Sequence, residues 1–196
     1  MDCKIDEVAK LRPGQLLTRI REVTDLNANT YVVYSGKHFL MDSYELDSDD
    51  GKQDKIIRTE ESVMLTEEGM LLISFTTNKA AMVSWAHVGY LLTSNYVVVE
   101  CDGGKIDPDY FCFAFNESDE IKKQIAMNEQ GASLVSRISL QQIRKFEFFC
   151  PTLEEQKRIG AIYRLQQKRE LLQAKQIKLE KEAVHAILKK YIQGRK

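Results

Sequence analysis

The chain has no run of about 18 apolar residues, the least a helix needs to cross a bilayer. Its opening, Met1-Asp2-Cys3-Lys4-Ile5-Asp6, has no apolar stretch of the kind that starts a signal peptide. A cytoplasmic protein is the expectation. The four cysteines, Cys3, Cys101, Cys112 and Cys150, show no C-x-x-C spacing, and His38, His87 and His185 stand singly. This argues against a metal centre and for reduced thiols packed as small apolar groups. Catalytic signatures are also missing: the sequence holds no Asn-Pro-Pro-aromatic motif, no cofactor-binding glycine loop and no nuclease-like grouping of acids with lysine. Asp102-Gly103-Gly104-Lys105 lacks the Lys-Ser/Thr of a phosphate-binding loop and reads as a hairpin turn. Asp42, Glu45, Asp47, Asp49, Asp50 and Asp54 crowd around Gly51 without the glycine position and terminal glutamate of an EF-hand, so they read as a solvated turn.

What is present is a chain of 196 residues, 43% hydrophobic, long enough for one ordinary core plus an appended helix. Its net charge of −1 hides an asymmetry. Of the 28 basic and 29 acidic residues, 12 and 5 fall in residues 152–196, which therefore carry +7 and leave −8 for everything before them. An acidic body counts against binding nucleic acid, because phosphate neutralisation wants a basic face. Six of its acids sit in the one stretch around Gly51, which leaves room for a basic patch elsewhere.

Along the body, mixed α and β structure is expected. Tyr31-Val32-Val33-Tyr34 and Phe39-Leu40-Met41, separated by Ser35-Gly36-Lys37, predict a hairpin or two short strands. Met70 to Phe75 and Tyr96 to Glu100 are apolar, β-branched-rich runs and predict buried strands. Pro108 opens a short helix carrying Tyr110, Phe111, Phe113 and Ala114. Ser118 caps a second, with Ile121 and Ile125 on one face and Gly131 at its end. Trp85 is expected in the core.

The most informative segment is Pro151-Thr152-Leu153-Glu154-Glu155-Gln156-Lys157-Arg158-Ile159. Pro151 cannot continue a strand ladder, Thr152 and Glu155 have the spacing of a capping box, and Glu154 and Glu155 face the positive end of a helix dipole. A helix is predicted from Leu153 to about Tyr191, interrupted only by Gly160. It would be a rod of roughly 60 Å. Leu165, Leu172, Leu179 and Ala186 recur every seventh residue with Ile162 beside them, but Arg169 and Gln176 interrupt the seam. Leu171, Ile177, Val184, Ile187, Leu188 and Tyr191 widen the apolar stripe toward the C-terminus, beyond what a single partner helix covers.

This block resembles the conserved segment of the specificity subunits of type I restriction–modification enzymes. Similar correspondences run through the body: Asp6-Glu7-Val8-Ala9-Lys10-Leu11-Arg12-Pro13-Gly14 with Thr18-Arg19, Glu68-Gly69-Met70-Leu71-Leu72-Ile73-Ser74 (the family usually has an acid where Met70 stands), Ile106-Asp107-Pro108-Asp109-Tyr110-Phe111, and Gly131-Ala132 through Arg137-Ile138. The full subunit of that family has two target-recognition domains and two such helices; this sequence has one of each and resembles half a subunit. The resemblance implies a non-catalytic chain without cofactor or metal. Residues 1–150 would form a mixed α/β (α+β) target-recognition domain reading double-stranded DNA. Residues 151–196 would form a coiled-coil-like arm pairing two copies through Ile162, Leu165, Leu172, Leu179, Ile187 and Tyr191. A methyltransferase (modification) subunit and a restriction subunit are the implied partners, with S-adenosylmethionine and ATP belonging to them.

Base readers are chiefly Arg, Lys, Asn and Gln on loops, with Ser and Thr adding contacts. Three segments have that chemistry: Gln15, Thr18, Arg19 and Arg21 after the Pro13-Gly14 turn; Thr76, Thr77, Asn78 and Lys79 after a predicted strand; and Gln130, Ser133 and Arg137 around Gly131. Arginine, with its planar fork, suits guanine, and Lys79 as a point charge suits phosphate. Two other readings compete. The acidic body suits a scaffold or inhibitory half-subunit that docks on the methyltransferase without touching DNA. An enzyme has less support, because no nucleophile, base and orienting acid stand out together.

Overall fold

The computed structural model describes residues 2–25, 27–46, 53–130 and 138–193. In chain order the elements are β1 (Asp2–Lys4), α1 (Ile5–Val8), β2 (Ala9–Pro13), a 3-10 turn (Leu17–Arg19), β3 (Asn29–Val32), α2 (Gly36–Asp42), β4 (Ile56–Thr59), β5 (Leu71–Ser74) and β6 (Lys79–Met82). A second 3-10 turn (Trp85–His87), β7 (Tyr96–Cys101), α3 (Pro108–Glu117), α4 (Asp119–Gln130), α5 (Leu140–Arg144), β8 (Glu147–Phe149) and α6 (Leu153–Gln193) follow. This is the mixed α/β fold with a long C-terminal helix that the sequence predicts.

The centre is an antiparallel sheet in the order β2-β7-β5-β6. Successive side chains of a strand point to opposite faces, and both faces here are covered. Val97 and Val99 of β7 and Leu71 and Ile73 of β5 meet Ile106, Phe111 and Phe115 on one side. Tyr96, Val98 and Leu72 meet Tyr34, Phe39 and Val83 on the other. Double burial is why these strands read in the sequence as unbroken apolar runs rather than alternating ones. Both outer edges of the sheet are engaged by side chains. Asn116 of α3 accepts from the Ala80 amide at 2.7 Å and donates to the Ala80 carbonyl at 2.9 Å on β6. Arg144 of α5 donates to the Leu11 carbonyl at 3.3 Å on β2. Two smaller ribbons complete the body, β1 with β8 and β3 with β4, the latter backed by Ile20, Val33, Ile57 and Leu91.

Several expectations are corrected. Phe39-Leu40-Met41 lie in helix α2, because Ser35 acts as its N-cap instead of opening a turn: its amide donates to His38 Nδ1 at 3.0 Å and its carbonyl accepts from Phe39 at 3.1 Å. Asp102-Gly103-Gly104-Lys105 joins β7 to α3 and is not a hairpin. The Asp102 carboxylate accepts from the Gly104 amide at 3.0 Å, and Asp107 then caps α3 by accepting from Tyr110 at 3.0 Å. Trp85 is 76% exposed on its 3-10 turn, and the ring that goes inward there is His87. Cys3 and Cys150 are joined in a disulfide, with Cα atoms 6.1 Å apart, tying β1 to the residue that follows β8. Cys101 and Cys112 remain free thiols; burial pushes Cys101 up to about 12 and raises Cys112 as well, which disfavours the thiolate in both. Asp42, expected in a solvated turn, is buried at the end of α2.

Helix α6 begins at Leu153, where local chemistry puts it. The Thr152 amide donates to Glu155 Oε2 at 3.0 Å and the Glu155 amide to Thr152 Oγ1 at 3.4 Å, the two arms of the capping box. One turn later Gln156 is buried with its amide fully used: Oε1 accepts from the Asp107 amide at 2.9 Å, and Nε2 donates to the Lys105 carbonyl at 3.1 Å and the Pro151 carbonyl at 2.9 Å. A Cβ on Gly160 would lie 2.6 Å from the Tyr110 amide nitrogen and 2.7 Å from Asp109 Cβ. The missing side chain is what lets α6 and α3 cross so closely. Tyr163 accepts from Asn116 Nδ2 at 3.2 Å, and Arg164 pairs with Asp109 at 3.2 Å. Among the described residues no helix is long and apolar enough to cross a membrane.

Candidate nucleic-acid interface and partner helix

The topology brings two of the three donor-bearing segments together. β2 and β5 both run antiparallel to β7, so the chain leaves both at the same end of the sheet. The Gln15 amide donates to Leu92 and its carbonyl accepts from Ser94, while the Phe75 amide donates to Asn95, so both loops flank the turn that feeds β7. Thr18 and Arg19 stand exposed on the Leu17–Arg19 turn, and Arg21 is exposed just beyond, its amide donating to Glu61 Oε2 at 3.3 Å. Gln15 is half-buried and holds the scaffold: its side-chain oxygen accepts from the Met64 amide at 3.0 Å.

The β5–β6 turn is rigid. The amides of Thr76 and Thr77 both donate to Ser74 Oγ at 3.2 Å, and Asn78 takes a left-handed φ of 51° while donating to the Ser74 carbonyl at 2.9 Å. Thr76 and Thr77 are exposed there. Lys79 is paired with Glu45 at 2.7 Å, a contact across 34 residues that no sequence pattern announces. Of the third segment, Ser133 and Arg137 and the side chain of Gln130 lie outside the described residues.

On the face of the sheet that carries Tyr96 and Val98 lies a buried polar knot. Asp42 Oδ2 accepts from the Tyr34 hydroxyl at 2.6 Å, and Oδ1 accepts from the Ser84 amide at 3.1 Å and faces His87 Nδ1 at 2.8 Å. Burial, reinforced by the Asp42 charge, drives the Tyr34 hydroxyl far above its usual range. Burial lowers His38, against the pull of the Asp54 carboxylate 3.2 Å from its Nε2. Ser84 Oγ approaches the same ring nitrogen of His87 that Asp42 holds, at 3.5 Å, so the three do not form a proton relay from serine through histidine to acid. The knot is structural: it fixes the Trp85–His87 turn to α2.

Along α6 the side facing the body is occupied by buried Gln156 and Gly160 and half-buried Tyr163, Gln167, Leu171 and Ala174, recurring at three- and four-residue steps. Ile162, Leu165, Leu172 and Leu179 fall off that stripe and are exposed. From residue 175 to Gln193 every residue is exposed, including Ile177, Val184, Ile187, Leu188 and Tyr191.

A family model for the type I restriction modification DNA specificity domain matches residues 1–181. Among solved structures, the chain is similar to the HsdS subunit from Thermoanaerobacter tengcongensis, with 15% identity and a TM-score of 0.56 over 93% of this chain and 41% of that one. It is similar to the type I restriction–modification S subunit from M. genitalium, with 13% identity and a TM-score of 0.54 over 93% and 42%. It is also similar to a chain from a structural study of complex assembly and conformational transition in the type I system, with 18% identity and a TM-score of 0.58 over 96% and 47%. At these identities the likeness is one of fold, and the chain spans less than half the length of each. No curated protein matches.

Proposed function

This chain belongs to the family of type I restriction–modification DNA specificity domains, and on that premise we propose that it recognises one half of a bipartite DNA target without catalysing any reaction on it. The observation that carries the reading is the shared end of the sheet, where Arg19 and Arg21 on one loop and Thr76 and Thr77 on another are exposed on rigid supports. Loops with donors on a fixed scaffold are the geometry of base readout. Residues 1–150 would act as the target-recognition domain, with Gln130, Ser133 and Arg137 as further contacts, and residues 151–196 as the arm.

The arm would join two copies antiparallel about a two-fold axis, burying Ile162, Leu165, Leu172 and Leu179, which no part of the described body covers. The C-terminal stretch with Ile187 and Tyr191 is wide enough to receive a further chain, for which a methyltransferase subunit is the candidate, with a restriction subunit joining the assembly. Cofactors would sit in those partners, and the whole would work in the cytoplasm. The test is selection from random duplexes by the chain assembled with its modification subunit. A bipartite motif with inverted symmetry is the expected result; recovery of no motif would overturn DNA recognition. Methyl transfer from labelled S-adenosylmethionine by the pure chain would overturn the non-catalytic part.

A further inference from the structure

We infer that the β3–β4 ribbon is a base-reading element, with Arg58 as its principal reader and Thr30 and Ile56 beside it; this rests on the DNA-recognition reading above. Thr30 and Arg58 are directly opposite one another in the antiparallel register, and both are exposed. Two residues along the same face stands Ile56, 56% exposed. The other face of the ribbon carries Tyr31 and buried Ile57, packed with Ile20, Val33 and Leu91, so the reading face is held from behind. A two-stranded ribbon is one of the few backbone forms that fits the major groove of B-DNA.

The arginines sort by what they touch. In the body, Arg12 is paired with Glu100 at 2.6 Å and Arg144 donates to Leu11. Among the described residues, Arg19, Arg21 and Arg58 have no ion-pair partner. They also belong to one patch: the Val23 amide donates to the Arg58 carbonyl at 3.0 Å, which lays the segment holding Arg21 along the edge of β4. Leu91 ties the ribbon to the loop end of the sheet by its bridge to Val33, two residues before the bridge of Thr93 to Gln15. Of the acids beside the patch, Glu61 accepts from the Arg21 amide, and Glu22, Asp25 and Glu60 stand exposed. Each outer side chain has a partner in the groove: an arginine fork for the O6 and N7 of guanine, a threonine hydroxyl for either a donor or an acceptor, and an uncovered isoleucine for the methyl of thymine.

The experiment compares wild type, Arg58→Ala, Arg58→Lys and Arg12→Ala, each assembled with the modification subunit, in selection from a random duplex library and then in binding to the winning duplex. Arg58→Ala and Arg58→Lys should each lose information at one base pair and bind the selected duplex roughly ten- to a hundredfold more weakly. Binding to unrelated duplex should stay near wild type for Arg58→Lys, and Arg12→Ala should keep the motif. Melting curves check the fold, and the lysine variant, which keeps the stem and charge, carries the test if the alanine variant does not fold. A motif unchanged by both substitutions, or a uniform weakening on all duplexes that lysine restores, would overturn the inference while leaving DNA recognition intact. Failure of wild type to select any motif would remove the reading on which it rests.

Discussion

The two halves of α6 differ in what surrounds them more than in what they are made of. From Leu153 to Ala174 the helix is capped, anchored by a buried glutamine and pressed against α3 at a glycine. From residue 175 to Gln193 it has the same helix-forming composition and every residue is exposed. Periodicity alone makes the second half look more core-like, since Ile177, Val184, Leu188 and Tyr191 repeat at helical spacing. Intramolecular burial instead goes to the half with a glutamine, a glycine and a tyrosine. Close approach of two helices is set by a small residue and satisfied polar groups at the crossing, and apolar spacing without them marks surface for another chain.

Substitutions can sharpen or break this contrast. The largest effect is expected from Gly160→Leu, which drives a side chain into the Tyr110 backbone and should cost about 3 kcal/mol in urea unfolding; an unchanged midpoint would mean the crossing is not close in solution. Gln156→Ala leaves the Asp107 amide and two carbonyls without their partner, and about 2–3 kcal/mol should be lost by the same measurement. Thr152→Ala removes one arm of the capping box and should lower stability by about 1 kcal/mol. Leu172→Glu should change the stability of the separated chain by less than about 0.5 kcal/mol, because the site is exposed, yet abolish association as read by light scattering. A monomeric wild type at micromolar concentration would remove the pairing proposal, and a Leu172→Glu chain that unfolds would remove the contrast.

How much of this was legible in the sequence follows from how local each cause is. The start of α6 was legible to the residue, because proline, threonine and glutamate within one turn decide it. β5 and β7 were legible because burial on both faces writes an apolar run. Helix α2 was not legible because Ser35-Gly36-Lys37 suits a turn or a cap equally well, and the seat of Phe39 against Tyr96 decides between them. The strand at Tyr31-Val32 was legible, but β4 and its pairing with β3 escaped because the two strands lie 23 residues apart between their facing ends. In the candidate interface, the loops themselves were legible as donor-rich turns. That Gln15 is engaged by Met64 and Lys79 by Glu45, while Arg58 has no ion-pair partner among the described residues, depends on contacts across the fold that no spacing encodes.

The closed edges of the central sheet have a consequence for how copies of this chain meet. An open outer strand offers backbone donors and acceptors to any passing strand, and that offer is indifferent to sequence. Here an incoming chain would have to evict the Asn116 amide from both backbone groups of Ala80 at one margin, and the Arg144 guanidinium from Leu11 at the other. The two helices that cover the hydrophobic centre thereby also stopper its margins. Growth by strand addition, which has no natural end, is discouraged at both, and contact between copies is left to side-chain surfaces that fit in a limited number of ways.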